Sequence, residues 1–459
     1  MDLLRLRSLP LSARLNFLHE YQHTILWTML AGLVEGRFGS LVVSKSFSGS
    51  ATMVAIATAT PTASYLFSVY WGMLLARAPK LAVQALFVAG TALFAAAASL
   101  ASPTRGGAGA FIFCLALSQV FLAGVLTLRP AIWQVNYPAT SRGRITARLH
   151  AANLFVSTSA ALIVAPICDR DPGAFGIVLQ VCAAAGLLSL VFLLRMRVRG
   201  EGRRRRRRER ALRSGDGRLT TREKLFEWSP GRVWHRMHEA IAADPAYARY
   251  LSAQTFLGLS NLLVMAVLTV LVTREIDGWG GDVYWVGTVL FTAMPRLLTF
   301  GSLRQWGGLF DRVGVLRFRV INCWFWGVAA VLGLAGELAM TYRDALGPIS
   351  PVMMMSCFAL QAVAYGFGMG GGKVAWSLGH LHFASGARGD LYMGIHVTLT
   401  GVRGTVATLL GVYLWQWIGW GIWIVALVFM MIAHRMFKRL ADEEGSRTVQ
   451  AESPGRPGM

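Results

Sequence analysis

The sequence predicts an all-α polytopic membrane protein with twelve transmembrane helices. Of its 459 residues, 54% are hydrophobic and only 15% are charged, whereas an ordinary soluble domain carries about 25% charged residues. Twelve apolar runs approach the ~20 residues that a helix needs to cross a bilayer. Basic residues also lie mostly on one side of the predicted membrane. These three observations exclude a soluble chain and indicate a protein that crosses the membrane many times.

The twelve predicted spans form two groups of six, separated by a polar linker. Their predicted limits are 25–47, 51–75, 81–101, 108–129, 147–167, 174–194, 252–272, 283–303, 318–340, 351–373, 391–413 and 417–435. We therefore expect, in order, a cytoplasmic lead-in (1–24), a six-helix bundle (25–195), a basic cytoplasmic linker (196–250), a second six-helix bundle (251–438) and a disordered cytoplasmic tail (439–459).

The distribution of Lys and Arg predicts the orientation of the chain. With both termini in the cytoplasm, the inward segments hold 37 of these residues and the outward loops hold 5. Such an asymmetry is the positive-inside signal of multi-pass proteins. It also explains the net charge of +22 without a nucleic-acid partner.

The linker contains six consecutive arginines, Arg203 to Arg208. One interpretation is a cytoplasmic anchor and a solvated tether between the two bundles. The other is a regulatory contact with anionic lipid headgroups. An amphipathic helix is possible in the second part of the linker, from Thr221 to Ile241.

Short sequence features recur between the two halves. The corresponding pairs are Arg129 and Lys373, Trp133 and Trp376, Arg142 and Arg388, and His150 and His396. The last two pairs are both separated by 246 positions. A duplicated six-span unit predicts such a pattern.

A glycine-bounded loop, GGLFDRVG, lies between the eighth and ninth spans, from Gly307 to Gly314. Both glycines permit the close approach and the positive φ that a tight helical hairpin needs. Asp311 can pair with an arginine or cap the next helix, and Arg312 can contact an anionic headgroup surface.

A weaker copy of this loop lies 235 residues earlier, where Gly72 matches Gly307 and Arg77 matches Arg312. Ala76 stands in place of the aspartate and Pro79 in place of the second glycine. The two loops together resemble the signature loop of the major facilitator superfamily, a large group of secondary transporters.

The resemblance implies two six-helix bundles around a central cavity and alternating access between the two sides of the membrane. It implies a non-enzymatic, monomeric transporter of the bacterial-type inner membrane, without cofactor, that carries a small-molecule solute. Asp311 and Arg312, with Arg77 as a weaker counterpart, would then hold the cytoplasmic side closed in the outward-facing state.

Charged residues within spans are the best sequence indicators of a cavity, because burying them in lipid is costly. They are Glu35 and Arg37 on span 1, Arg296 on span 8 and Arg403 on span 11. We expect Glu35 either to carry a coupling proton or to pair with an arginine and join the bundles. Three arginines against one glutamate favour an anionic solute.

Uncharged polar residues complete the candidate cavity: Asn261 on span 7, and Gln361 and Tyr365 on span 10. Each can instead bond to a neighbouring helix. The glycine run from Gly366 to Gly372 lacks the features of a phosphate-binding loop, so a gradient-driven mechanism is favoured over a nucleotide-driven one. No residue spacing indicates a metal site. The tryptophans from Trp415 to Trp423 are interpreted as an interfacial belt.

Two other functions remain open on the same scaffold. One is a non-transporting membrane sensor or scaffold, and the other is a transporter of lipid between leaflets. The substrate, the direction of transport, the coupling ion and any regulatory role of the linker are not encoded in a recognisable pattern.

Overall fold

The computed structural model describes residues 10–68, 70–71, 79–199, 229–278, 281–383 and 389–452. Within these ranges the chain is almost entirely helical and contains no β-strand. The first copy of the signature loop, including Gly72 and Arg77, lies outside the described residues, as does the arginine run of the linker.

Nineteen helical segments follow one another along the described chain: fifteen α-helices and four short 3₁₀ or π turns. The first eight helices are α1 (Leu11–Val34), α2 (Phe38–Lys45), α3 (Ala51–Ser64), α4 (Lys80–Ala98), α5 (Arg105–Asn136), α6 (Ala139–Arg170), α7 (Phe175–Leu193) and α8 (Pro230–Ala242). The others are α9 (Pro245–Gly278), α10 (Val283–Thr288), α11 (Met294–Thr341), α12 (Arg343–Leu346), α13 (Ile349–Leu378), α14 (Gly389–Ile418) and α15 (Gly421–Glu452).

The chain divides into two compact units. The first comprises residues 1–237 and 273–292, and the second comprises residues 238–272 and 293–459. The segment 273–292 thus belongs to the first unit, although the sequence suggested that it is part of the second bundle. Contacts of this segment with α2 and α6 explain the assignment, since Lys45 pairs with Asp277 and Asp169 accepts hydrogen bonds from two backbone N–H groups of α10.

All twelve predicted spans have a helical counterpart in the described chain. Nine helical stretches are long and apolar enough to cross a membrane, and the bent pair formed by α1 and α2 makes a tenth. One of the nine runs for 59 residues, from Val283 to Thr341, far more than the ~20 residues of a single crossing. It contains two predicted spans, one on each side of Gly314. The predicted second span corresponds to α3 and the 3₁₀ turn Tyr65–Phe67 that follows it.

The N-terminal lead-in is not a separate segment. Helix α1 begins at Leu11 and continues without interruption into the first predicted span. Ala13 and Phe17 are fully buried against Trp133 and Leu149. The predicted boundary at residue 25 was wrong because α1 continues across it, with Glu20, His23 and Thr24 buried just before it.

The predicted disordered tail is also partly helical. Helix α15 extends to Glu452, well beyond the predicted start of the tail at residue 439. Glu443 accepts hydrogen bonds of 2.9 and 2.8 Å, one at each carboxylate oxygen, from Arg249. This ion pair connects the extension of α15 to the beginning of α9.

The glycine run of α13 packs closely against α11. A Cβ atom added at Gly366 would lie 2.9 Å from the Cα of Pro295 and 2.8 Å from the Cβ of Leu298. A Cβ atom at Gly371 would lie 3.0 Å from the Trp306 ring. Small residues at these positions allow α13 to approach α11 closely.

Candidate functional site

The first predicted span is broken at Glu35, Gly36 and Arg37. Helix α1 ends at Val34, α2 begins at Phe38, and the two helices are bent by 45°. Glu35 is exposed and Arg37 is half-buried. The two charges that the sequence placed near the middle of span 1 therefore lie at a break in the helix, where backbone groups are free to bind other partners.

Gln119 of α5 binds one of the backbone groups released by this break. Its amide nitrogen donates a 2.9 Å hydrogen bond to the carbonyl oxygen of Val34. The side chain is only 2% exposed, and its oxygen Oε1 has no partner among the described residues. Gln119 therefore bonds to the last residue of α1, next to the break.

An open pocket of the first unit lies at this break. It is small, with a volume of about 10 Å³, which is room for about one water molecule. Its polar lining comes from Glu35, Ser64, Tyr65 and Gln119. Pro61, which lies inside α3, also lines the pocket. Proline removes one hydrogen bond from its helix, so two irregular helices meet where the carboxylate of Glu35 is located.

Arg37 makes a cation–π contact within the first unit. Its guanidinium carbon lies 4.8 Å from the centre of the Phe291 ring. Phe291 belongs to the π-helical turn Val289–Ala293, which directly precedes Pro295 and Arg296. Turns of this type are frequent at functional sites, and here one is located in the predicted eighth span.

The other predicted cavity residues lie in the second unit. Arg296 and Asn261 are half-buried, whereas Gln361 is 5% exposed. The hydroxyl of Tyr365 donates to the sulfur of Met265 at 3.9 Å. Tyr365 thus connects two helices of the unit, which is the structural alternative that the sequence left open for each polar residue.

Arg403 is enclosed by α9 and α14. Its two terminal nitrogens donate to the backbone oxygen of Gln254 at 3.2 Å and to the hydroxyl of Thr400 at 2.8 Å. A Cβ atom added at Gly258 would lie 2.7 Å from both Cδ and Nε of Arg403. The absence of a side chain at Gly258 therefore creates the space in which the arginine lies.

The signature loop does not form the predicted tight hairpin from Gly307 to Gly314. Instead, α11 is interrupted at Gly314. Gly314 has the predicted positive φ, at 71°. Gly307 does not: it lies in the helical part of α11, and no atom lies within 4 Å of an added Cβ. Asp311 and Arg312 are exposed and make no hydrogen bond or ion pair with the described residues. The prediction for Gly307 was wrong because α11 continues as a helix up to Val313.

A buried carboxylate that the sequence did not single out lies in the first unit. Glu20 of α1 is 2% exposed and accepts a 3.3 Å hydrogen bond from Nε of Arg129. It also accepts hydrogen bonds from the indole of Trp133 and the hydroxyl of Tyr137. We call these four residues the Glu20 cluster. Burial, together with the Glu20 carboxylate, raises the pKa of Tyr137, so its hydroxyl stays protonated and continues to donate.

A second buried carboxylate, Glu337, lies in the second unit. It is 3% exposed and accepts hydrogen bonds from the indole nitrogens of Trp415, at 2.7 Å, and of Trp423, at 2.5 Å. Trp423 is fully buried. The prediction of an interfacial belt was therefore wrong for these two tryptophans, whereas Trp417 is 74% exposed. The sequence does contain a signal for this site: Glu337 lies near the end of an apolar run, and several tryptophans lie close to the start of α15.

Solved structures of transporters share the architecture of this chain. The nucleoside transporter NupG has a TM-score of 0.64 and 12% identity, covering 93% of this chain and 99% of its own. The peptide transporter POT in complex with sulfate has a TM-score of 0.66 and 13% identity, covering 94% of this chain and 95% of its own. The inward-open xylose transporter XylE from E. coli has a TM-score of 0.60 and 15% identity, covering 92% of this chain and 95% of its own.

No protein-family model and no curated protein sequence matches the chain. The structural likeness covers nearly the whole length on both sides, so it concerns the complete arrangement of helices and not a common fragment. At these identities it establishes the fold alone. The chain is an integral multi-pass membrane protein with the helical fold of these transporters, as the signature loop indicated.

Proposed function

We propose that this protein is a secondary active transporter of a small solute, with Glu35 as the residue that binds a coupling proton. The observation that carries this proposal is the broken first span, which places a carboxylate and an arginine in one short segment, with the carboxylate at a small pocket. The fold supports it, because the similar solved structures are transporters of nucleosides, peptides and xylose.

The chemistry at the break fits a site for a mobile proton. A carboxylate alternates between a charged and a neutral form, and Glu35 is exposed to the pocket rather than fixed in an ion pair. Tyr65 and Gln119 line the same pocket and are able to exchange hydrogen bonds with either form of the carboxyl group. By contrast, Glu20 and Glu337 are each held by at least two donors, which suits a structural role.

The proposed orientation in the membrane follows from the uneven distribution of Lys and Arg between the two sides. Both termini and the signature loops lie on the cytoplasmic side of a bacterial-type inner membrane, and the protein acts as a monomer. Asp311 and Arg312 stabilise the state that is closed on this side. Arg37, Arg296 and Arg403 with Asn261, Gln361 and Tyr365 are the candidate contacts of the solute, which is anionic.

A lipid contact of the linker belongs to the same proposal. Helix α8 follows the arginine run and displays an exposed tryptophan, Trp234, beside the basic Arg232. An amphipathic helix with an exposed tryptophan and basic residues suits a membrane surface with anionic headgroups.

The test uses the purified protein in vesicles that contain a trapped fluorescent pH indicator. Nucleosides, dipeptides, D-xylose and small carboxylic acids are added outside one class at a time. We expect at least one class to drive proton movement into vesicles with the wild-type protein. In Glu35→Gln the solute is expected still to exchange across the membrane at equilibrium, but without proton movement.

Glu239→Gln is the matched control, because Glu239 is an exposed glutamate of α8. Its proton movement should equal that of the wild type. Undiminished proton movement in Glu35→Gln would refute the role of Glu35. Failure of every solute class to cross the membrane would refute small-solute transport.

A further inference from the structure

The second unit contains two buried arginines that lack a carboxylate partner. Arg403 is 9% exposed and Arg319 is 3% exposed. Among the described residues, the hydrogen-bond partner of Arg319 is the amide oxygen of Asn322, at a long 3.5 Å. The partners of Arg403 are a backbone carbonyl and a hydroxyl. Buried charges are normally paired, because an uncompensated charge in a low dielectric is costly.

His396 lies beside these arginines. It is 1% exposed, and neither of its ring nitrogens has a partner among the described residues. The positive charges of Arg403 and Arg319 both act on its ring. His396 precedes Arg403 by seven residues on α14, close to two helical turns, so both side chains lie on one face of the helix.

Several donors at this place have unused hydrogen-bonding capacity. Within the described chain, Nε of Arg319, Nε of Arg403, the His396 ring and the hydroxyl of Tyr250 are all buried without a partner. Tyr250 is fully buried and interacts electrostatically with Arg403. Buried polar atoms without partners are rare in folded proteins. We call these four residues the Arg403 cluster.

Within the part of the chain that the structure describes, the groups whose charges act on His396 and Arg403 include no acid. Among the described residues, the groups whose charges act on His396 are Arg403, Arg319 and His380, and those that act on Arg403 are Arg319 and Tyr250. Burial lowers the pKa of His380, so it is neutral at pH 7. The charge of the site is therefore set by two guanidinium groups that face a histidine.

The first unit shows how this chain compensates a buried arginine. Arg129 is also 9% exposed, but the carboxylate of Glu20 accepts a hydrogen bond from it. The histidine that corresponds to His396 is His150, and both rings pack against the corresponding tryptophans, Trp133 and Trp376, with centroids 5.4 and 5.7 Å apart. The tryptophan–histidine contact thus recurs in the second unit, where no carboxylate among the described residues bonds to Arg403 or Arg319.

We propose that the Arg403 cluster binds a small oxyanion, the carboxylate or phosphate group of a solute. Guanidinium groups bind such groups with paired, charge-assisted hydrogen bonds, and the anion would supply the negative charge that Glu20 supplies in the first unit. Because the cluster is buried inside the second unit, its ligand is a small free anion rather than a lipid headgroup. The proposal concerns binding and holds whether or not the solute is transported.

The test is calorimetric titration of the full-length protein in detergent with sodium phosphate, sodium sulfate and sodium acetate, at an ionic strength held constant with sodium chloride. We expect at least one oxyanion to bind the wild-type protein. Arg403→Gln, Arg319→Gln and His396→Gln should each weaken binding, the arginine variants by about tenfold or more since each removes a charge-assisted hydrogen bond.

Arg304→Gln is the matched control, because Arg304 is an exposed arginine of α11, and its affinity should equal that of the wild type. If Arg403→Gln does not fold, Arg403→Lys retains the charge, loses the paired geometry and should still bind more weakly. The absence of binding of all three anions to the wild type would overturn the proposal. Equal losses in Arg304→Gln and Arg403→Gln, or binding of short-chain phosphatidic acid without binding of phosphate, would overturn it as well.

Because no gradient or vesicle is involved, the outcome is independent of the transport assay. A protein that transports a solute but binds no oxyanion would retain the proposed function and lose this site. A protein that binds phosphate but moves no tested solute would retain the site and lose the function.

Discussion

The two units of this protein differ in how their buried charges are paired. In the first unit, the carboxylate of Glu20 forms an ion pair with the guanidinium group of Arg129. In the second unit, Arg319 and Glu337 lie on the same part of α11, after the break at Gly314, with Arg319 near its start and Glu337 near its end. Their separation of 18 positions along the helix corresponds to about 27 Å, so these two charges cannot pair.

This difference shows what a duplicated scaffold retains and what it changes. The tryptophan–histidine contacts at Trp133 and Trp376 are present in both units, so the packing of the repeat is preserved. The position of the carboxylate is not. In the first unit the buried Arg129 has a carboxylate partner, whereas in the second unit the buried Arg403 and Arg319 have none among the described residues, which suits the binding of an anion.

The largest expected effect comes from removing the acid of the first unit. Glu20→Gln leaves the buried Arg129 without a carboxylate and should destabilise the protein by ~3–5 kcal/mol, as is typical when one partner of a buried ion pair is lost. Thermal unfolding of the purified protein in detergent measures this change. A melting temperature equal to that of the wild type would show that Glu20 does not neutralise Arg129.

Removal of the acid of the second unit should have a smaller effect. Glu337→Gln keeps one acceptor oxygen for the two indole N–H groups, so at most one donor is left without a partner, at a cost of about 1–3 kcal/mol. The loss should therefore remain below that of Glu20→Gln in the same unfolding experiment. Trp417→Phe, at an exposed tryptophan, is the control and should unfold like the wild type. A larger loss for Glu337→Gln than for Glu20→Gln would contradict the comparison.

The smallest effect is expected at the arginine of the second unit. In buffer without oxyanions, Arg403→Met should change the stability by less than about 1 kcal/mol in either direction, because it removes a costly buried charge together with its hydrogen bonds. The matched variant Arg129→Met, at equal exposure, should be clearly destabilising because it removes the counter-ion of Glu20. Equal losses in the two variants would show that Arg403 is as fully compensated as Arg129.

The fold was predictable from the sequence because each span needs only its own apolar residues. Gly314 was predictable for a similar reason, since a positive φ requires a particular residue at one position. The pairs Glu20–Arg129 and Glu337–Trp423 were not, because residues 109 and 86 positions apart are brought together only by packing. Glu20 falls in the predicted cytoplasmic lead-in and Arg319 at the start of the predicted ninth span, and both are buried.

The candidate site was partly predictable. Glu35 and Arg37 stood out because charges are rare within spans, and both lie at the break of the first span. The break itself could not be predicted: Gly36 alone does not end a helix, and the stabilising contact comes from Gln119, 85 residues from its acceptor Val34. Arg403 was identified by its charge, but its partners depend on Gly258, which has no distinguishing sequence pattern.

The two arms of α11, the helical parts before and after Gly314, are joined by this single non-helical residue. Helical backbone continues on both sides of this one residue, so nothing in the loop is able to absorb a change in length. One residue inserted beside Gly314 would rotate the following arm by about 100°. Phe318 and Arg319, now buried, would turn away from the interior of the second unit. A loop of this kind, on the surface of the protein and normally tolerant of insertions, thus sets the rotational register of an entire span.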